Sequence, residues 1–226
     1  MRKSPRRGCL PVVIQHSASI RSHQPMRRVR QFVQQIRPCA YHNLVMRLFL
    51  GIPLATAVVH ELAAISQRLR TSGDRLRWSA PQSWHITLQF LGNTNLDQYR
   101  CLVASLNDLR LPPLPIQLEG LGAFERTGVL FAGVKVSHEL LLLHQSTAAA
   151  IKPCGFTPET RPFHPHITLA RSIAPAPRQA LLVLQTRLSQ PRRFTRFVAE
   201  EFLLYESFLG PGGSRYEVRE RFHLLP

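Results

Sequence analysis

The chain is short of acid. Its 226 residues hold 13 Asp and Glu against 29 Lys and Arg, a net charge of +16. That balance favours anionic partners such as nucleic acid, nucleotides or a membrane surface. It also lacks any apolar run near the roughly 18 to 20 residues that a membrane span requires, so no membrane partner is expected. The stretch CLPVVI at 9–14 is broken by Gln15 and His16 and makes only a weak secretory signal. Four cysteines, Cys9, Cys39, Cys101 and Cys154, include no CxxC pair. A zinc ribbon is therefore excluded, and the four read as reduced thiols of a cytoplasmic protein.

The excess of positive charge is uneven. Nine of the 29 basic residues and none of the 13 acidic ones lie in 1–45, leaving 20 against 13 from Met46 onward. Residues 1–45 show little periodicity and read as a disordered basic extension. Two readings of it stand: a dispensable or mis-assigned start, with Met46 as the alternative first residue, or a tail that adds affinity for nucleic acid. With 226 residues, 44% of them hydrophobic, the chain is long enough for one domain or two small lobes with a real core.

In the body, 46–226, MRLFLGIP at 46–53 reads as a buried strand. Residues 53–70 turn helical, with Pro53 in the first turn and Leu54, Val58, Leu62, Ile65 and Leu69 at spacings of three and four. A short strand at 75–78 and a strand at 84–91 follow, the latter closed by Gly92 and Asn93. A helix is expected at 96–109, and the prolines at 112, 113 and 115 form a linker. Strands at 116–122 and 129–136, a helix at 139–152 and a strand at 166–170 come next. A helix at 179–188 and an antiparallel pair at 197–205 and 215–223, around the Gly-rich turn at 210–213, complete the chain. Helices mixed with hairpin connections indicate an α+β fold.

The tetrapeptide HITL occurs twice, at 85–88 and 166–169, which points to an internal duplication of a β-α-β-type lobe. In a strand, residues i and i+2 share a face. His85 and Thr87 therefore point one way and Ile86 and Leu88 the other, and His166 with Thr168 repeats the arrangement. An imidazole exchanges its proton near neutrality. Two of them on opposite sides of a phosphorus can serve as acid and base in one in-line displacement, and threonine hydroxyls can donate to the non-bridging oxygens. No metal or other cofactor is needed. A zinc site of His85, His166 and His164 is the competing reading, weakened by the lack of Asp or Glu in either motif.

The flanked motifs WHITLQFLG (84–92) and RPFHPHITLAR (161–171) resemble the two signature segments of the RNA 2′,3′-cyclic phosphodiesterases, members of the two-histidine phosphoesterase superfamily also called 2′-5′ RNA ligase-like. MRLFLGIP and the closing pattern FLLYES (202–207) followed by Tyr216 resemble the family as well. The likeness spans 46 to about 223. It implies two lobes with antiparallel sheets facing each other across a central cleft, each contributing one motif. It also implies hydrolysis of RNA 2′,3′-cyclic phosphodiester ends to 2′-phosphomonoesters. His85 would be the proton donor to the ribose 3′ oxygen and His166 the proton acceptor that activates water. Thr87 and Thr168 would hold the phosphoryl oxygens, with Arg171 as a further phosphate contact or else a solvated strand-end arginine.

Joining 2′-5′ ends is the same reaction type run backward, a side activity. The implied partners are RNA ends or oligonucleotides bearing a 2′,3′-cyclic phosphate, handled by a monomer. Two alternatives remain: a phosphodiesterase for small cyclic nucleotides or 2′-5′ oligonucleotides, and a non-catalytic protein that grips RNA ends. His164 reads as a loop residue behind Pro165. Trp84 and Phe163 read as core packing rather than base-stacking platforms.

Overall fold

The computed structural model describes residues 45–174, 181, 184, 188, 190, 192–210 and 213–225. The basic extension up to residue 44 and most of the expected helix at 179–188 lie outside these residues.

Two four-stranded antiparallel sheets form the body. In the first, β1 (Met46–Pro53) is flanked by β3 (His85–Thr94) and β9 (Glu201–Gly210), with β10 (Gly213–His223) at the edge beyond β9. In the second, β7 (His166–Ser172) lies between β2 (Leu76–Trp78) and β6 (Val129–Val134), and β5 (Leu118–Phe124) is the outer strand. A small pair, β4 (Leu114–Ile116) with β8 (Phe197–Ala199), completes the strands described. Helices α1 (Thr56–Leu69), α2 (Leu96–Asn107) and α3 (His138–Ile151) follow strands of both sheets. This is the duplicated two-lobed α+β architecture expected, with one HITL strand in each sheet. Among the described residues no helix is long and apolar enough to cross a membrane.

The apolar alternation drives this arrangement. Ile86, Ile167 and Leu169 are fully buried, and Leu88 nearly so. They join Leu50, Ile52, Leu62, Leu130 and Leu140 in one cluster reaching both sheets. Each buried aliphatic of this size contributes about 1.5–3 kcal/mol of transfer free energy. Helix ends are chemically marked. Asn95 Oδ1 accepts from Gln98 N at 2.9 Å while Asn95 N donates to Gln98 Oε1 at 3.1 Å, a reciprocal cap for α2. Ser137 Oγ accepts from Leu140 N at the start of α3.

Four expectations need correcting. Pro53 is the last residue of β1, not the first turn of a helix, and pairs with His85. The pairing of β1 with β9 has ended at Gly51, so the missing N–H breaks no ladder there. Strand β3 runs through Gly92 and Asn93 to Thr94, Gly92 taking φ 70° within it, a conformation open to glycine without strain. Pro115 sits in β4 rather than in a linker; its strand is a short one paired on one side by β8. Finally, Cys101 of α2 and Cys154, just beyond α3, are not thiols. They form a disulfide with Cα atoms 5.5 Å apart. Nothing in a spacing of 53 residues announces that pair; the packing of α2 against the end of α3 creates it.

Candidate active site

His85 and His166 occupy the first position of their strands and are held in the same way. His85 Nδ1 lies 2.8 Å from the carbonyl oxygen of Ser83, and His166 Nδ1 lies 2.8 Å from that of His164. A carbonyl only accepts, so each Nδ1 carries the proton, and each neutral ring keeps Nε2 as the acceptor. In both cases the carbonyl is two residues back, across a buried residue, Trp84 or Pro165. The duplication thus extends from the motif to the device that sets its tautomer.

The two motif faces line one cleft of about 510 Å³. His85, Thr87, His166, Thr168 and Arg171 all border it, with Arg47 and Tyr216. All five residues singled out by sequence for this site are therefore brought together.

Arg171 gets there against strict alternation, which would place Ala170 beside His166 and Thr168. Phe131 pairs with Thr168 and Leu130 with Ala170, leaving Leu169 as the extra residue of a bulge. A bulge reverses the phase of the strand beyond it. Ala170 turns into the core and is fully buried, and Arg171 points to the cleft.

His164 stays outside the strand and is exposed, its ring centroid 6.3 Å from that of His166. Its backbone carbonyl, not its imidazole, serves the site. Among the described residues no three His, Cys, Asp or Glu side chains are grouped to hold a metal ion. Trp84 is buried in the core, as expected. Phe163 is only partly buried and faces an adjoining groove.

Sequence reading missed the aromatic surroundings of the two imidazoles. Against His85 lie Phe49 at 4.6 Å, Tyr205 at 5.5 Å and, edge-on, Tyr216 at 5.1 Å between centroids. Against His166 lie Phe124, edge-on at 5.0 Å, and Phe131 at 5.4 Å. A signal was present for one of them: Arg47, Phe49 and Gly51 alternate along β1 and share a face. For Tyr205, Phe124 and Phe131 no local pattern singles out the contact.

Enclosure has an electrostatic consequence. Burial pushes His85 down from 6.5 to about 4, the positive charges of His166 and Arg171 adding to it and the hydrogen bond to Ser83 opposing it. His166 is also lowered, chiefly by burial, with His164 and Arg171 contributing. Both rings are thus neutral in the free protein near pH 7, poised to gain a proton when an anion enters. The arrangement brings two imidazoles, two hydroxyls and a guanidinium to the lining of one cleft, the equipment for acid–base displacement at phosphorus.

The chain matches the family model described as the 2′-5′ RNA ligase superfamily over residues 57–206. An RNA 2′,3′-cyclic phosphodiesterase of Archaeoglobus fulgidus is 30% identical over 176 residues, 76% of this chain and 97% of that protein. One from Aquifex aeolicus is 30% identical over 190 residues, covering 80% of this chain and 98% of its own length. A solved structure from Thermus thermophilus, 29% identical, superposes with a TM-score of 0.65 over 79% of this chain and 98% of that one.

Proposed function

The chain belongs to the 2′-5′ RNA ligase superfamily, and on that premise we propose that it hydrolyses RNA 2′,3′-cyclic phosphodiester ends to 2′-phosphomonoesters. The observation that carries this reading is the pair of imidazoles, each held by Nδ1 with Nε2 left for chemistry, bordering one cleft with two threonines and Arg171.

In this mechanism His166 Nε2 takes a proton from water as the water oxygen bonds to phosphorus. The bond from phosphorus to the ribose 3′ oxygen breaks, and His85, protonated at Nε2, delivers its proton to that oxygen. The bond to the 2′ oxygen survives, so the product is a 2′-phosphate with a free 3′-hydroxyl. Exchange with solvent then restores both rings. The phosphodiester anion itself raises the pKa of His85 on binding, which supplies the protonated donor. Thr87 and Thr168 hydroxyls and the Arg171 guanidinium hold the non-bridging oxygens, whose charge grows in the transition state. These groups come from one chain, so a monomer suffices. The two imidazoles do the proton transfers, and no metal is called on.

The test is product analysis after incubation with an RNA ending in a 2′,3′-cyclic phosphate, in excess EDTA. A 2′-phosphate end is expected. A 3′-phosphate would refute the assigned polarity, and RNA left unchanged after long incubation, with salt-sensitive binding, would leave an RNA-end-binding protein.

A further inference from the structure

The two motif strands differ in what their bulges bring to the cleft. In β3, Gly51 pairs with Thr87 and Leu50 with Gln89, so Leu88 is the extra residue, as Leu169 is in β7. The same reversal of phase brings the uncharged Phe90 to the cleft where β7 brings Arg171. Beside Arg171 stands a second arginine. Arg77 of β2 is its partner directly across the β2–β7 ladder, so the two side chains share a face with Cβ atoms roughly 5 Å apart. Like charges in that position repel and destabilise the pair. Neither arginine has an acidic partner among the described residues. Asp74, the nearest acid along the chain, is engaged elsewhere, accepting from Trp78 Nε1 at 3.1 Å and from Leu76 N at 3.3 Å. Both arginines are exposed, so the core does not account for the pair. A bound anion does.

Arg77 and Arg171 border a notch of about 180 Å³ that opens from the catalytic cleft, and Ser79, Ser83, Ser214 and Tyr216 line both spaces. Among the described residues no Asp or Glu lines either. The far wall is backbone. A methyl group on Gly213 would lie 3.7 Å from Arg77 Nε, so the arginine of one sheet lies against the first residue of β10 in the other. The groove that Phe163 faces also adjoins the cleft, but there Arg126 and Arg161 are balanced by Glu125 and Glu159, and Arg161 is bonded to Glu159. A second negative charge on the substrate is therefore drawn to the notch. Two guanidiniums and serine hydroxyls around a space of this size suit a phosphate.

We infer that Arg77, with Arg171, holds the phosphodiester on the 5′ oxygen of the nucleotide whose cyclic phosphate reacts. The inference rests on the phosphodiesterase reading above and deepens it. The 5′ oxygen links that nucleotide to the rest of an RNA, so its phosphate is the next charge after the reacting one. Arg171 borders both spaces and stands between the two charges. The notch makes the protein favour the end of an RNA chain over a free nucleoside cyclic phosphate.

The experiment uses adenosine 2′,3′-cyclic phosphate and two derivatives of it. One carries a methyl phosphodiester on the 5′ oxygen, and the other a methyl methylphosphonate there, of similar shape but without charge. Wild type, Arg77→Gln and Arg77→Lys are compared in kcat/KM. Wild type should prefer the charged derivative over both other substrates. Arg77→Gln should cut that preference by roughly 5- to 12-fold, between the values for an exposed ion pair and for a hydrogen bond to a charged group. The change should come through KM, with turnover of adenosine 2′,3′-cyclic phosphate itself unaltered. Arg77→Lys should restore part of the preference, since it returns the charge without the planar fork. Wild type cleaving the charged and neutral derivatives equally well, or an unchanged preference in Arg77→Gln, overturns the inference alone. Equal losses on all three substrates in Arg77→Gln also overturn it, because they mark a structural role. Wild type cleaving none of the three overturns the phosphodiesterase reading beneath it.

Discussion

Replacing Gly51 by alanine tests how tightly the first imidazole is seated. Gly51 faces Thr87 across the β1–β3 ladder. A methyl group on it would lie 3.0 Å from the carbonyl oxygen of Ile86, 3.3 Å from His85 Cδ2 and 3.4 Å from Tyr205 Cε2. The carbonyl belongs to a paired strand and yields little, so the imidazole takes up much of a displacement of a few tenths of an ångström. Misplacing a reacting group by 1 Å costs about 10²-fold; scaled in proportion, kcat should fall about fivefold with KM little changed. Overpacking should cost about 1–3 kcal/mol of stability, offset in part by the roughly 0.5–1 kcal/mol that alanine gains over glycine within a strand. The control is Gly133, which pairs with His166 in the other sheet. A methyl there meets nothing closer than 3.8 Å, so Gly133→Ala should keep wild-type kcat and melt slightly higher. Turnover of a cyclic-phosphate RNA and thermal melts of the two variants give the answer. Wild-type kcat in Gly51→Ala, or equal losses in both, would refute the idea that glycine is needed to seat His85.

Four further outcomes are expected. His85→Ala and His166→Ala should each lose at least ~10²-fold in turnover; near-wild-type rates in either variant remove that residue from the mechanism. With both pKa values below 6.5 in the free protein, kcat/KM should be bell-shaped with its optimum on the acid side of 6.5. The kcat optimum should lie higher, because bound phosphate raises both rings; a kcat/KM optimum above about pH 7.5 would contradict this. The same shift makes His85 a site of acid destabilisation. The unfolded chain takes up the proton first, so stability is lost as pH falls from 6.5 towards 4, by on the order of 3 kcal/mol. His85→Gln should melt with a shallower dependence in that window. Finally, breaking the disulfide by Cys101→Ser opens a loop of 53 residues' separation, which loop entropy values at about 4 kcal/mol. Intact mass under non-reducing conditions and denaturant melts check both the bond and its worth.

The proton inventory of the site was legible in the sequence. A period of two places His85 with Thr87 and His166 with Thr168, and places Ile86, Leu88, Ile167 and Leu169 on the buried side, which is where the fold puts them. Strand periodicity is a local property, readable from a few consecutive residues. The α+β class and the duplication follow from the same kind of evidence, a repeated motif set among helices and hairpins.

What lay beyond reading was set by pairing between distant segments. A bulge depends on which residues a neighbouring strand offers. Leu88 and Leu169 become extra residues because β1 and β6 pair past them, and Phe90 and Arg171 reach the cleft as a result. The Cys101–Cys154 bond needs α2 packed on the end of α3. The low pKa of His85 needs Phe49, Tyr205 and Tyr216 brought from three other strands. Which groups can move protons, and which face of each strand bears them, follow from side-chain chemistry and the strand period, both local to the chain. The tertiary structure alone decided which way the strands turn after the motif, which rings enclose each imidazole and how readily each takes a proton, since these depend on contacts between residues far apart in the chain.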